Sequence, residues 1–139
     1  MYDFTLVGND VVRPQMEVLL SIVLMAGGAV TLSDRMRRLN SSGLDLARRV
    51  VAAESGESAV PLDLFQSEIP SYWLPKLRNG YRVLIVNWQD NEDEFTFDLE
   101  NHGINCRKAV NFWNDHPVRL RDQKIEQIIP ARSCLLVEL

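Results

Sequence analysis

Two histidines, two cysteines and one run of acidic residues are the first places to look for chemistry in this 139-residue chain. Nucleophilic catalysis needs a base within reach of its nucleophile. His102 and His116 both fall in predicted turns, with no Gly-x-Ser-x-Gly elbow or reactive-cysteine signature in the sequence, so they read as surface histidines. Cys106 and Cys134 are too few for a disulfide framework, and no thiol or histidine stands at metal-ligand spacing. Free thiols in a reducing cytoplasm are expected of them, with a single bridge as the alternative. Asp90, Glu92, Asp93 and Glu94 lack the glycine and the ligand spacing of a calcium loop and read as a solvated loop tip. Gly27-Gly28 follows an apolar helical stretch rather than a strand, which suits close packing and not a phosphate loop. Trp73, Trp88 and Trp113 have two readings: core residues of a small sandwich, or a platform on which a sugar ring stacks. Their exposure decides between the two. No catalytic residue, metal or cofactor is expected from these residues.

The elements that would position these groups divide into two halves. Pro14 suits the first turn of a helix over 15–26, because its missing N–H has no partner there in any case. That helix is apolar nearly all round apart from Gln15, Glu17 and Ser21, and such a helix is normally buried. In a chain this size little else is available to bury it. The apolar stretch 18–30 is short of the roughly 20 residues needed to cross a bilayer. Ser33-Asp34 offers a cap for a short helix over 35–39. Ser41 or Ser42 caps another running to about residue 53, with Leu44, Leu46, Ala47, Val50 and Val51 as its apolar stripe. Beyond Gly56 the period changes, and Pro61, Pro70 and Pro75 punctuate an extended segment.

Residues 81–88 form a near-continuous apolar run, as expected of a central strand covered on both faces. Residues 94–100 alternate, with Phe95, Phe97 and Leu99 on one side. The polar loop 89–93 between the two suggests a hairpin. Further strands are expected at 108–113, 117–121, 124–129 and 134–139. The fold class is therefore mainly β with an N-terminal helical segment: an antiparallel, Greek-key-like β-sandwich over 57–139, preceded by two or three helices within 1–56.

Composition excludes several functions. With 15 basic against 19 acidic residues the net charge is −4, which gives no electrostatic reason to expect nucleic acid or an anionic membrane. The first residues, Met1-Tyr2-Asp3-Phe4, lack the basic start and apolar core of a signal peptide, so a cytoplasmic location is expected.

Several short motifs, taken in order, resemble one family. Met25-Ala26-Gly27-Gly28-Ala29-Val30-Thr31-Leu32-Ser33-Asp34, followed by a second helix, resembles the end of the (β/α)8 barrel in α-galactosidase (melibiase)-type glycoside hydrolases. Pro61-Leu62-Asp63-Leu64-Phe65 and Glu68-Ile69-Pro70-Ser71-Tyr72-Trp73 resemble the crossing into the C-terminal domain of that family. Val86-Asn87-Trp88-Gln89-Asp90 is similar to its Asn-Trp-x-Asp hairpin, and Phe112-Trp113 to a later strand. Asp3-Phe4-Thr5-Leu6-Val7-Gly8-Asn9 is similar to the stretch closing the eighth barrel strand. The resemblance implies that 1–56 is a remnant of that strand and its following helices, and 57–139 the C-terminal sandwich. It also implies retaining hydrolysis of α-linked sugars by two aspartates on earlier barrel strands, which nothing in this chain matches. Asp3 and Phe4 match positions near the sugar pocket, although Tyr2 departs from the Asn-Asp-Pro-Asp pattern usual before them. The expected role is non-catalytic support of a barrel. The expected partners are a missing catalytic barrel or a second copy of the chain, as a homodimer through residues 14–30. A carbohydrate-binding module using the tryptophans is the alternative, and an interaction domain using the apolar helix is a third reading.

Overall fold

The structure, a computed structural model, describes residues 2–4, 13–27, 30–32, 41–53, 59–63, 71–77 and 80–139. The helix expected over 35–39 and the motif residues 64–70 lie outside the described residues. Strand β1 (Tyr2–Phe4) pairs in parallel with β2 (Val30–Leu32), Asp3 opposite Thr31, and helix α1 (Arg13–Met25) connects them. Helix α2 (Ser41–Ala52) follows. The strand at β2 is a departure from the sequence reading, which assigns no strand there. A parallel pair needs a long crossover connection, and α1 supplies it.

The rest is β. Strands β3 (Val60–Pro61), β4 (Tyr72–Leu74), β5 (Lys76–Leu77), β6 (Gly80–Asn87), β7 (Asp93–Asp98), β8 (Val110–Asn111), β9 (Leu120–Arg121), β10 (Lys124–Ile129) and β11 (Ser133–Glu138) follow in order. They form two antiparallel sheets, β3-β4-β6-β11-β8 with β5 folded onto β6, and β7-β10-β9. At the start, Asp63 accepts hydrogen bonds from the Ser71 N–H at 3.0 Å and the Tyr72 N–H at 3.2 Å, which closes the connection between β3 and β4. Gly80 sits where an added Cβ would lie 2.6 Å from the Leu139 carbonyl oxygen, so a side chain does not fit there.

β6 and β7 do not form the expected hairpin. The two strands lie in different sheets, and residues 88–92 carry the chain across the edge of the sandwich. The reason is burial. Residues 82–87 are all buried, so β6 must be central, and it takes β4 and β11 as neighbours. β7 has one apolar face and closes the core from the opposite side. Residues 108–113 and 117–121 yield only two-residue strands. The Asn111 side-chain oxygen accepts from the Trp113 N–H at 2.9 Å, and that of Asn114 accepts from the His116 N–H at 3.0 Å. Both bonds turn the backbone away from the sheet.

The molecule has three layers. On β6, Leu84 and Val86 face the helices while Val83 and Ile85 face the second sheet; on β11, Leu136 and then Leu135 and Val137 divide in the same way. The helix-side core joins Met16, Leu20, Met25, Leu46, Ala47 and Val50 to these strands. The inter-sheet core adds Phe97, Leu99, Ile125 and Ile129. Thus α1 is not left without cover: its Met16, Val18, Leu20, Ser21 and Met25 are buried, because the β6–β11 surface receives the helix.

Candidate functional site

The residues singled out for chemistry are scattered. Asp3 and Phe4 stand on β1, where the backbone pairs with Thr31 and Leu32. Trp113 is only 2% exposed, and its indole N–H donates to the Ser21 hydroxyl at 3.0 Å. It is a core residue that fastens the sandwich to α1, not a stacking surface. Trp73 is half-buried against the same core. Trp88 is 37% exposed. The three rings therefore do not form one exposed platform: Trp113 is in the core, Trp73 is half-buried and Trp88 is exposed.

Trp88 stands over a groove of about 420 Å³ between the end of β6 and one flank of α1. Val18, Leu19, Ile22 and Val86 give it an apolar lining, with Gln15 and Arg132 at the margin. Arg132, in a left-handed backbone conformation (φ 50°), donates from Nε to Asp90 at 2.6 Å, so the cation at the groove mouth is neutralised within the chain. Beneath it, Asn87 is fully buried. Its Nδ2 donates to the carbonyls of Asn91 and Ile129, both at 2.9 Å, and Pro130 at 3.2 Å, while its Oδ1 accepts from the Gln89 N–H. One side chain thus ties together the two places where the chain passes from sheet to sheet. In the sequence Asn87 stands out only as part of the Val86–Asp90 motif, and a lone amide ending an apolar strand is the signal of its role.

A second polar feature was not legible. Arg13 on α1 reaches Glu17, Ser42 and Asp45, each at 3.0 Å, and Arg49 on α2 reaches Asp45 at 3.3 Å, Asp115 at 2.9 Å and the Phe112 carbonyl at 2.9 Å. This chain of charges links α1, α2 and the sandwich. The hydrogen bond from Arg13 holds Asp45 below the usual carboxylate range, and Arg49 does the same to Asp115. Burial pushes Glu17 the other way, against its bond with Arg13. Arg82, 1% exposed, donates to Glu138 at 2.8 Å and lies 5.4 Å from the centre of the Phe112 ring.

Among the described residues neither thiol is activated as a nucleophile. Both cysteines are free. Burial pushes the Cys134 thiol up to about 12, with Ser21 at 3.6 Å, and raises Cys106 as well; a thiol is a nucleophile only as thiolate. His116 is exposed, and His102 stacks on Phe97 with ring centres 5.0 Å apart. Among the described residues no three of His, Cys, Asp and Glu gather as metal ligands, and no helix is long and apolar enough to cross a membrane.

No protein-family model and no curated protein matches the sequence. Solved structures do. The chain is similar to α-galactosidase I of Mortierella vinacea, at 14% identity and a TM-score of 0.76, over 96% of this chain and 38% of that one. It is similar to a family 27 β-L-arabinopyranosidase of Geobacillus stearothermophilus, at 14% identity and a TM-score of 0.75, over 94% of this chain and 31% of that one. An isomalto-dextranase of Arthrobacter globiformis T6 matches at 12% identity and a TM-score of 0.70, over 92% of this chain and 24% of that one. The chain therefore has, over nearly its whole length, the fold of about a third of an α-galactosidase-type glycoside hydrolase.

Proposed function

We propose that this chain is the non-catalytic C-terminal portion of a retaining α-glycosidase of the α-galactosidase type, in which the sandwich braces the end of a (β/α)8 barrel. The observation that carries this reading is the seam between the halves. β1-α1-β2-α2 is a run of parallel strand and helix, the repeat from which such barrels are built. The buried faces of both helices join the core under β6 and β11, with Trp113 bonded to Ser21. In this reading β2 is the last barrel strand, and β1, which carries Asp3 and Phe4, is the strand before it. The structural relatives are named for α-galactosides and related sugars, and we carry that substrate class to the parent enzyme only. The two free cysteines fit a reducing compartment.

Retaining hydrolysis uses two carboxylates flanking the scissile bond. In the family the chain resembles, both stand on earlier barrel strands. The 139-residue chain is therefore expected to show no turnover of aryl α-galactosides or α-glucosides. Turnover above a vector control that survives repurification overturns the reading. The carbohydrate-module alternative would rest on Trp88 and the half-buried Trp73, since Trp113 is in the core.

A further inference from the structure

A cavity of about 380 Å³ opens at the end of β6 away from Trp88, where the last turn of α2 meets β8 and the close of β11. Small-molecule sites span roughly 300–1,000 Å³. Arg49, Asn111, Phe112, Asp115 and Glu138 stand on its wall. The wall is braced from behind. The Asn111 N–H donates to the His116 carbonyl at 2.8 Å and the Asp115 N–H to the Asn111 carbonyl at 2.9 Å, which closes the turn over 111–116. Asp115 sits there in the left-handed region (φ 60°), a strained conformation for a residue with a side chain. Three of the side chains are fixed through one atom and unused at the other. Asp115 Oδ2 accepts from Arg49 at 2.9 Å, Glu138 Oε1 from Arg82 at 2.8 Å, and Asn111 Oδ1 from the Trp113 N–H at 2.9 Å. Asp115 Oδ1, Glu138 Oε2 and the side-chain amide nitrogen of Asn111 have no partner among the described residues.

We propose that this cavity binds one uncharged sugar ring, its hydroxyls bonded to Asp115, Glu138 and Asn111 and its C–H face laid against Phe112. The chemistry of the wall selects that class. Two carboxylate oxygens call for donors and an amide NH2 calls for an acceptor, and a hydroxyl is both at once. Each carboxylate already has its cation, Arg49 for Asp115 and Arg82 for Glu138, so the cavity holds no unpaired charge for a phosphate or an ammonium group. The remainder of the lining is apolar, with Leu77 beside Phe112, and suits the carbon face of a ring. Phe112 is itself held in place, 4.7 Å from the Trp113 ring centre and 5.4 Å from the Arg82 guanidinium carbon. Donors and acceptors fixed before the ligand arrives cost less to order on binding. The inference does not rest on the glycosidase reading, and a chain without hydrolytic activity still tests it.

The methyl α-pyranosides of galactose, glucose and mannose are titrated into the isotope-labelled 139-residue chain, to about 100 mM, well beyond the millimolar range of weak sites. At least one should give saturable shifts of the Asn111, Asp115 and Glu138 amide NMR signals. Asp115→Gly keeps the left-handed backbone accessible while removing the carboxylate, and should weaken that binding at least about tenfold, the worth of a hydrogen bond to a charged group. Ala52→Phe, at an exposed position on the cavity wall, removes no side-chain hydrogen bond and should abolish binding by filling the space. Ile128→Glu, on the far sheet, should leave binding unchanged. No saturable shift with any of the three sugars overturns the proposal. So do shifts that centre on Trp88 and Leu19, undiminished binding by either folded variant, or equal loss in Ile128→Glu. Galacturonate or glucosamine bound more tightly than the uncharged sugars overturns it as well. Circular dichroism checks the fold of each variant, and if Ala52→Phe unfolds, Asp115→Gly alone decides.

Discussion

Asn87 carries more of the structure than its size suggests. Its amide nitrogen has two hydrogens and faces three carbonyl oxygens, at Asn91, Ile129 and Pro130, so at least one bond is shared. Removing the amide leaves the Ile129 carbonyl buried without this donor. Asn87→Ala is therefore expected to cost about 1–3 kcal/mol, measured as a shift in urea unfolding free energy. Asn87→Asp should cost more than the alanine change, because it points a carboxylate at those carbonyls. Equal stability of the two variants would mean that packing, not donation, is what Asn87 supplies. At this scale the sequence was partly legible. Phe97 and Leu99 announce their burial by alternation. Trp113 and Trp88 look alike in sequence, yet one is in the core and the other at the surface. What separates them is Ser21, 92 residues before Trp113, and such a partner is invisible along the chain.

The helices are held to the sandwich by charge as well as by apolar contact. Asp45 accepts from arginines on both helices and is held below its ordinary pKa. A carboxyl whose pKa is depressed on folding binds protons more readily when unfolded, so it contributes stability above its unfolded value and loses that contribution as pH falls through the folded one. Asp115 acts in the same direction. Glu17 acts in the opposite one: its raised pKa means that the folded state favours its protonated form, which partly offsets the loss in acid. Stability should therefore fall as pH drops below about 4. Asp45→Asn should be less stable at neutral pH and should show a shallower acid dependence. Parallel acid profiles for the two proteins would remove Asp45 from this role. The elements themselves were read well where period alone decides, as in α1, α2, β6, β7 and β10. Pairing was not, because alternation reports which face of a strand is buried and says nothing of which sheet it joins. The five residues 88–92 suit a hairpin or a sandwich corner equally well.

For the molecule as a whole, the decisive feature is that one sheet serves two cores. Val83 and Ile85 pack under one face of β6 while Leu84 and Val86 pack under the other, so neither the helices nor the second sheet can leave without exposing it. Helical and tryptophan signals should consequently report a single unfolding transition at a fixed protein concentration, by far-ultraviolet circular dichroism and by fluorescence. Two separated midpoints would show that the halves are independent. The sequence shows a change of period near residue 56, which lies outside the described residues. That the two halves share a core was not legible, because the apolar helix gives no sign of the sheet that receives it.

The strand that completes this arrangement is β11, and on the ribosome it comes after every other described element. Leu136, which meets α1 and α2 in the helix-side core, lies three residues from Leu139 at the end of the sequence. At about 5–20 residues per second, α1 spends several seconds outside the exit tunnel before its sheet exists. During that interval Met16, Leu20 and Met25 lack the sheet that covers them in the folded chain, and α2 is the element of this core that has already emerged.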